Sequence, residues 1–184
     1  MNGSIALLVV DMQEQFRPLL TSDSHLDQAL EHIRHVAGRL RAAGHTVVWV
    51  CDIEGVRADD PAAQVIHELE VDPDDLVSQK IQSNAFWDTD LSQRLAGLGV
   101  ELVVVAGFAA EHCVLFTYEG ARERGFTAVM LQNGLVSTDP AAVAAAMSQR
   151  HVISYPVLEF LIDQTHDQEP VSPAQQELRA DDAR

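Results

Sequence analysis

The sequence predicts an α/β protein: a three-layer α/β/α arrangement around a central, mostly parallel, Rossmann-like sheet. Three observations carry this expectation. Short apolar runs alternate with segments of helical period along most of the chain. The runs are continuous rather than alternating, as in strands covered on both faces. Cap and stop residues fall between them. The first run, Ser4–Val10, is the first strand. Residues 25–43 read as a helix, with Leu26, Leu30, Ile33, Ala37 and Leu40 at helical spacing, Ser24 as cap and Gly44 as stop. Residues 45–51 are a Val-rich second strand, followed by a polar loop over 52–60 and a helix opening near Pro61. Leu76–Lys80 is a short third strand. Leu91, Leu95 and Leu98 mark a helix stopped by Gly97 and Gly99. Residues 101–106 form the fourth strand, 112–124 a helix, and 126–131 the fifth strand. Asp139 and Pro140 cap and open an Ala-rich helix running to Arg150. A last strand spans 151–154 and a last helix 157–162. Residues 1–163 thus form one domain, and 164–184 a polar tail with Pro170 and Pro173.

Composition excludes several function classes. The chain has 184 residues, of which 47% are hydrophobic and 22% charged, enough for a real core. Its formal net charge of −16 argues against a nucleic-acid partner, which needs clustered Lys and Arg, and against an anionic membrane surface. No apolar run is long enough to span a bilayer and the N-terminus lacks a signal pattern. The two cysteines, Cys51 and Cys113, are far apart and in no metal-like spacing, which suits a reduced, cytoplasmic protein.

Ligands of parallel α/β sheets bind beyond the C-terminal ends of the strands. Three reactive side chains fall there. Asp11 follows the first strand, Lys80 ends the third, and Cys113 lies beyond the fourth at the start of a helix. A helix N-terminus and a nearby ammonium both favour a thiolate. A carboxylate beside them can take the thiol proton and return it to a leaving group. Backbone N–H groups in the turn before the helix can hold an oxyanion.

The motifs around these residues resemble one family. Asp11-Met12-Gln13 with Phe16 resembles the Asp-Xaa-Gln-Xaa-Xaa-Phe opening of the isochorismatase-like cysteine hydrolases, which include nicotinamidases and carbamoyl and ureido amidohydrolases. Lys80, followed by Ser83, Ala85, Phe86, Thr89 and Leu91, is similar to its lysine segment. Residues 107–114, Gly-Phe-Ala-Ala-Glu-His-Cys-Val, resemble its nucleophile loop. The resemblance covers about residues 4–163. It implies the isochorismatase-like hydrolase fold, with Cys113 attacking a carbonyl, Asp11 as general base and acid, and Lys80 holding both. It also implies an oxyanion hole from the backbone N–H groups of Ala109 and Cys113, a cis Phe108–Ala109 peptide, and a pocket lined by Phe16, Phe86 and Trp87. A small-molecule substrate, no cofactor, and a homodimer or larger homo-oligomer follow from the same resemblance. The sequence departs from the family pattern twice. Ala110 stands where the loop usually has Thr. The place after the second strand, where nicotinamidases bind metal through Asp-Xaa-His, reads Asp52-Ile53-Glu54, with no His until His67. The metal expectation is therefore none, and Asp52, Glu54, Asp59 and Asp60 read as loop carboxylates, a weak Mg²⁺ or Ca²⁺ site being the alternative.

Blander readings stand beside these. Cys113 alone would read as an inert core thiol, Asp11 as a turn cap and Lys80 as a solvated edge lysine. Cys51 reads as structural. One of Phe86 and Trp87 reads as ordinary core. His112 reads as a helix-start residue, and Arg17 and Arg57 as surface residues or carboxylate binders. Cleavage of a C–N bond through a thioester is the leading function. Vinyl-ether hydrolysis, a non-catalytic binding role and a thiol redox sensor are the alternatives, the last without a resolving cysteine near Cys113.

Overall fold

The computed structural model describes residues 3–20, 25–57 and 59–166. Six strands form one all-parallel sheet: β1 (Ser4–Val10), β2 (Thr46–Asp52), β3 (Leu76–Lys80), β4 (Val100–Phe108), β5 (Thr127–Val136) and β6 (Val152–Ile153). Their order is β3-β2-β1-β4-β5-β6. The chain thus winds outward from β1 in one direction and then returns to its other side, leaving a crevice beyond the ends of β1 and β4.

Side chains alternate across each strand and build two cores. Ile5, Leu7, Val9, Val47 and Trp49 pack against α1 (Leu26–Ala42) and α5 (Tyr155–His166). Ala6, Leu8, Val10, Val48 and Val50 pack against α2 (Leu91–Gly97), α3 (Cys113–Glu123) and α4 (Pro140–Gln149). β1 is central and buried on both faces, which explains its unbroken apolar run. Asp139 caps α4 as predicted, its carboxylate accepting the Ala141 N–H at 2.9 Å. The predicted cap Ser24 lies outside the described residues.

The departures from expectation are local. No α-helix opens at Pro61. A single 3-10 turn over Pro61–Ala63 is followed by extended chain, because Val65 bridges Gln13 and the Ile66 N–H donates to the Met12 carbonyl at 2.9 Å. β2 runs one residue further than predicted, so Asp52 ends a strand instead of opening a loop. β5 runs five residues further and pairs at its end with Gly107 and Phe108. α5 continues through His166, into the segment predicted as tail; residues 167–184 lie outside the described residues. No described helix is long and apolar enough to cross a membrane.

Candidate active site

Four strand ends and one helix start converge. The Asp11 N–H donates to the Val50 carbonyl at 2.9 Å, and the chain then turns with Asp11 at φ 51°, a conformation Asp tolerates better than most residues. Gly107, the Cα partner of Val10, has φ 112°, and a Cβ there would lie 2.1 Å from the Val10 carbonyl oxygen. Only glycine lets β4 pass the end of β1 so closely. The Phe108–Ala109 peptide is cis, and α3 begins at Cys113. α3 is seated by Thr117, which accepts the Ala85 N–H at 3.1 Å, and by Gly120, where a Cβ would meet Asn84 at 2.3 Å. That close approach places the start of α3 against the end of β3.

Lys80 is the centre of the cluster. Its Nζ lies 2.8 Å from Asp11 Oδ2, 3.2 Å from Asp52 Oδ2 and 3.5 Å from Cys113 Sγ. Its side chain is fully buried, so three protein acceptors replace water around the ammonium. Burial opposes the Lys80 charge, but Asp11 beside it, with Cys113 and Asp52, raises its pKa above the ordinary lysine value. Burial pushes the Asp11 carboxyl up to about 6, against the pull of Lys80. Burial also pushes the Cys113 thiol up to about 12; the Asp11 charge adds to this and Lys80 opposes it. Burial therefore opposes the thiolate. The helix start and the ammonium do favour it, but desolvation and Asp11 outweigh them. A neutral thiol faces a carboxylate whose Oδ1 is buried and has no hydrogen-bond partner among the described residues. That oxygen is available to accept a proton.

The nucleophile loop is tied down without a hydroxyl at position 110. The Ala110 N–H donates to the Val136 carbonyl at 2.9 Å, and Ser137 Oγ donates to Glu111 Oε1 at 3.0 Å. The N–H groups of Ala109 and Cys113 donate to no backbone acceptor among the described residues.

The predicted pocket residues separate. The Phe16 ring lies 5.5 Å from the Phe108 ring, next to the cis peptide. Trp87 is 63% exposed on the loop after β3. Phe86 is not a pocket residue: it is 2% exposed, stacks on Phe126 and lies under the Arg124 guanidinium. Its aromatic ring, two residues past the Asn84 turn, is drawn into the core beneath α3. Arg17 and Arg57 are each engaged within the chain, by Glu68 and Asp59.

Asp52 is the site residue that sequence reasoning missed. It was read as a loop carboxylate, yet its Cα pairs with that of Lys80 across β2 and β3, which puts the two side chains on one face. Gln13 is fully buried and clamps it. Gln13 Oε1 accepts the Asp52 N–H at 2.7 Å, and Nε2 donates to the carbonyls of Asp52 at 3.0 Å and Ala63 at 2.7 Å. The signal was the Gln of the Asp-Xaa-Gln motif: a buried amide must find partners, and the strand beside it supplies them.

The isochorismatase domain model matches residues 5–156. A streptothricin hydrolase of Streptomyces noursei is 33% identical over 156 residues, covering 79% of this chain and 62% of that protein, so the chain spans less than two thirds of that relative's length. The solved N-carbamoylsarcosine amidase of Thermoplasma acidophilum superposes with a TM-score of 0.70 at 25% identity, covering 82% of this chain and 95% of that one. A pyrazinamidase of Pyrococcus horikoshii in complex with zinc gives 0.69 at 22%, covering 82% and 99%.

The residues at the end of β2 and around Lys80 do not fit a zinc ion. Glu54 is exposed and its N–H donates to Asp52 Oδ1 at 2.7 Å, while the other Asp52 oxygen is taken by Lys80. His67 takes no part there; it is grouped with Glu14 and Glu68, whose ligand-type atoms and its own lie within 4.8 Å of one another. Asp11, Asp52 and Cys113 bring ligand atoms within 4.8 Å of one another, but the cation at that point is the Lys80 ammonium.

Proposed function

This chain belongs to the isochorismatase family, and we propose that it is a cysteine amidohydrolase acting on a small carbonyl compound through a thioester at Cys113. The observation that supports this best is the single buried ammonium of Lys80 touching both Asp11 and Cys113 at the crevice beyond β1 and β4. Asp11 removes the Sγ proton as sulfur attacks the carbonyl carbon. The N–H groups of Ala109 and Cys113 hold the tetrahedral oxyanion. Asp11 then hands the proton to the leaving nitrogen, the C–N bond breaks, and an acyl thioester remains. Water, deprotonated by Asp11, attacks the thioester; the acid leaves and the thiol is restored with its proton. Burial makes the Asp11 carboxylate a stronger base than an ordinary carboxylate, and because burial also opposes ionisation of the thiol, the proton moves as sulfur bonds to carbon and not before. Lys80 stays protonated throughout and keeps the two groups in register. Phe16 and Phe108 supply an apolar wall beside the oxyanion turn.

Vinyl-ether hydrolysis is less well supported, because it gives the thiol no task. The test is ammonia or amine release from a panel of primary amides, carbamoyl and ureido compounds, including N-carbamoylsarcosine and streptothricin, compounds that relatives are named for. Release by the native protein and none by Cys113→Ala is expected. Equal release by both proteins would overturn the reading.

A further inference from the structure

Lys80 has three N–H donors and three acceptors, and only two of those acceptors have a part in the chemistry. The third, Asp52, is held more firmly than a loop carboxylate. Its N–H and carbonyl are clamped by the fully buried Gln13, and Gln15 Nε2 donates to the same carbonyl at 3.0 Å. Its Oδ1 accepts the Glu54 N–H at 2.7 Å, which turns Oδ2 onto Lys80 Nζ at 3.2 Å. Both residues are the last of their strands and are Cα partners. The whole construction ends on one contact, Asp52 to Lys80.

We infer that Asp52 is a positioning residue: it fixes the Lys80 ammonium at the point where one N–H reaches Asp11 and another reaches the Cys113 sulfur. This rests on the triad reading above. A lysine stem has four rotatable bonds, and a fully buried ammonium with only Asp11 as charged partner would turn wholly onto that carboxylate. Asp52 holds one N–H of the ammonium from the end of β2, which keeps the ammonium from turning wholly onto Asp11 and leaves another N–H for the sulfur. The carboxylate thereby occupies, with an ammonium, the place that would otherwise attract a metal.

The experiment needs no known substrate. The rate of Cys113 alkylation by iodoacetamide is measured at pH 8 in the native protein, Asp52→Asn, Asp52→Ala, Lys80→Ala and the Asp52→Asn/Lys80→Ala double variant, with peptide mapping to separate Cys113 from Cys51. Each protein is confirmed folded by its melting transition. The groups facing the sulfur are Lys80 from β3, Asp11 from the end of β1 and Asp52 from the end of β2. Two effects of Asp52→Asn have opposite signs. Removing a negative charge near the thiol, by itself, speeds alkylation. Releasing Lys80 from its position slows it. The inference predicts slowing on the order of tenfold, the scale of one lost charge-assisted hydrogen bond, for both Asp52 variants. It also predicts that the double variant is no slower than Lys80→Ala alone, because Asp52 acts through Lys80. Unchanged or faster alkylation in the Asp52 variants, or losses that add to those of Lys80→Ala, overturn it. If Lys80→Ala itself alkylates at the native rate, the triad reading fails first, and the two failures are told apart. Should Asp52→Asn not fold, the Asp52→Ala rate decides; should neither fold, the carboxylate is a requirement of the fold and the positioning role is rejected.

Discussion

Cys51 and Cys113 are both largely buried thiols in different surroundings. Burial pushes both thiols up to about 12, and both feel the Asp11 charge. Cys51 belongs to the core shared with α1, and its hydrogen-bond acceptor among the described residues is the Trp49 carbonyl at 4.0 Å. Cys113 stands at the start of α3, with an ammonium at 3.5 Å and a carboxylate oxygen within 4.8 Å. Burial alone therefore does not tell the two thiols apart. What separates them is the Lys80 ammonium and the Asp11 carboxylate beside Cys113, the groups on which the proposed mechanism rests.

The largest effect expected from breaking this contrast is that of Cys113→Ala. It should lower kcat on the order of 10⁴-fold or more, while Cys51→Ser leaves kcat unchanged. The Cys51 change should instead appear in thermal denaturation, at about 1–3 kcal/mol for a hydroxyl placed among apolar side chains. Next come Asp11→Asn and Lys80→Ala, each expected to cut kcat about 10²- to 10⁴-fold with the fold retained, as judged by circular dichroism. The pH dependence follows from Asp11. The carboxylate is the working form, so kcat/KM should fall as pH drops through about 6, where burial has placed this group, rather than through the ordinary carboxylate range. An acid limb near pH 4 would mean that another carboxyl is the base. Treatment with a chelator should leave the rate unchanged, because both Asp52 oxygens are engaged, by the Glu54 N–H and by Lys80. The smallest effect is expected at a surface ion pair. Arg17→Ala breaks a partly exposed pair with Glu68 and should cost no more than about 1 kcal/mol in a denaturant titration, with no change in rate.

Much of the fold and the site could be read from sequence, and the failures have physical causes. The apolar run of β1 and the spacing of α1 were legible because burial demands a period that composition displays. Asp11, Lys80 and Cys113 stood out because each follows or ends a strand. Phe86 and Asp52 were misplaced for the same reason: both depend on tertiary contacts that leave no periodic trace. Phe86 goes inward because Phe126 and Arg124 close over it. Asp52 joins the site because β2 runs one residue further than its apolar run, alongside Lys80. The segment after Pro61 carries a good helix-start signal, which bridging to Gln13 and Met12 overrides.

The most direct measurement is the mass of the protein quenched during turnover of whichever amide the panel identifies. The account predicts an adduct equal in mass to the acyl part of that substrate, located on the Cys113 peptide, released by hydroxylamine and absent from Cys113→Ala. Steady turnover with an adduct on Cys51, or turnover by Cys113→Ala at the native rate, would contradict it.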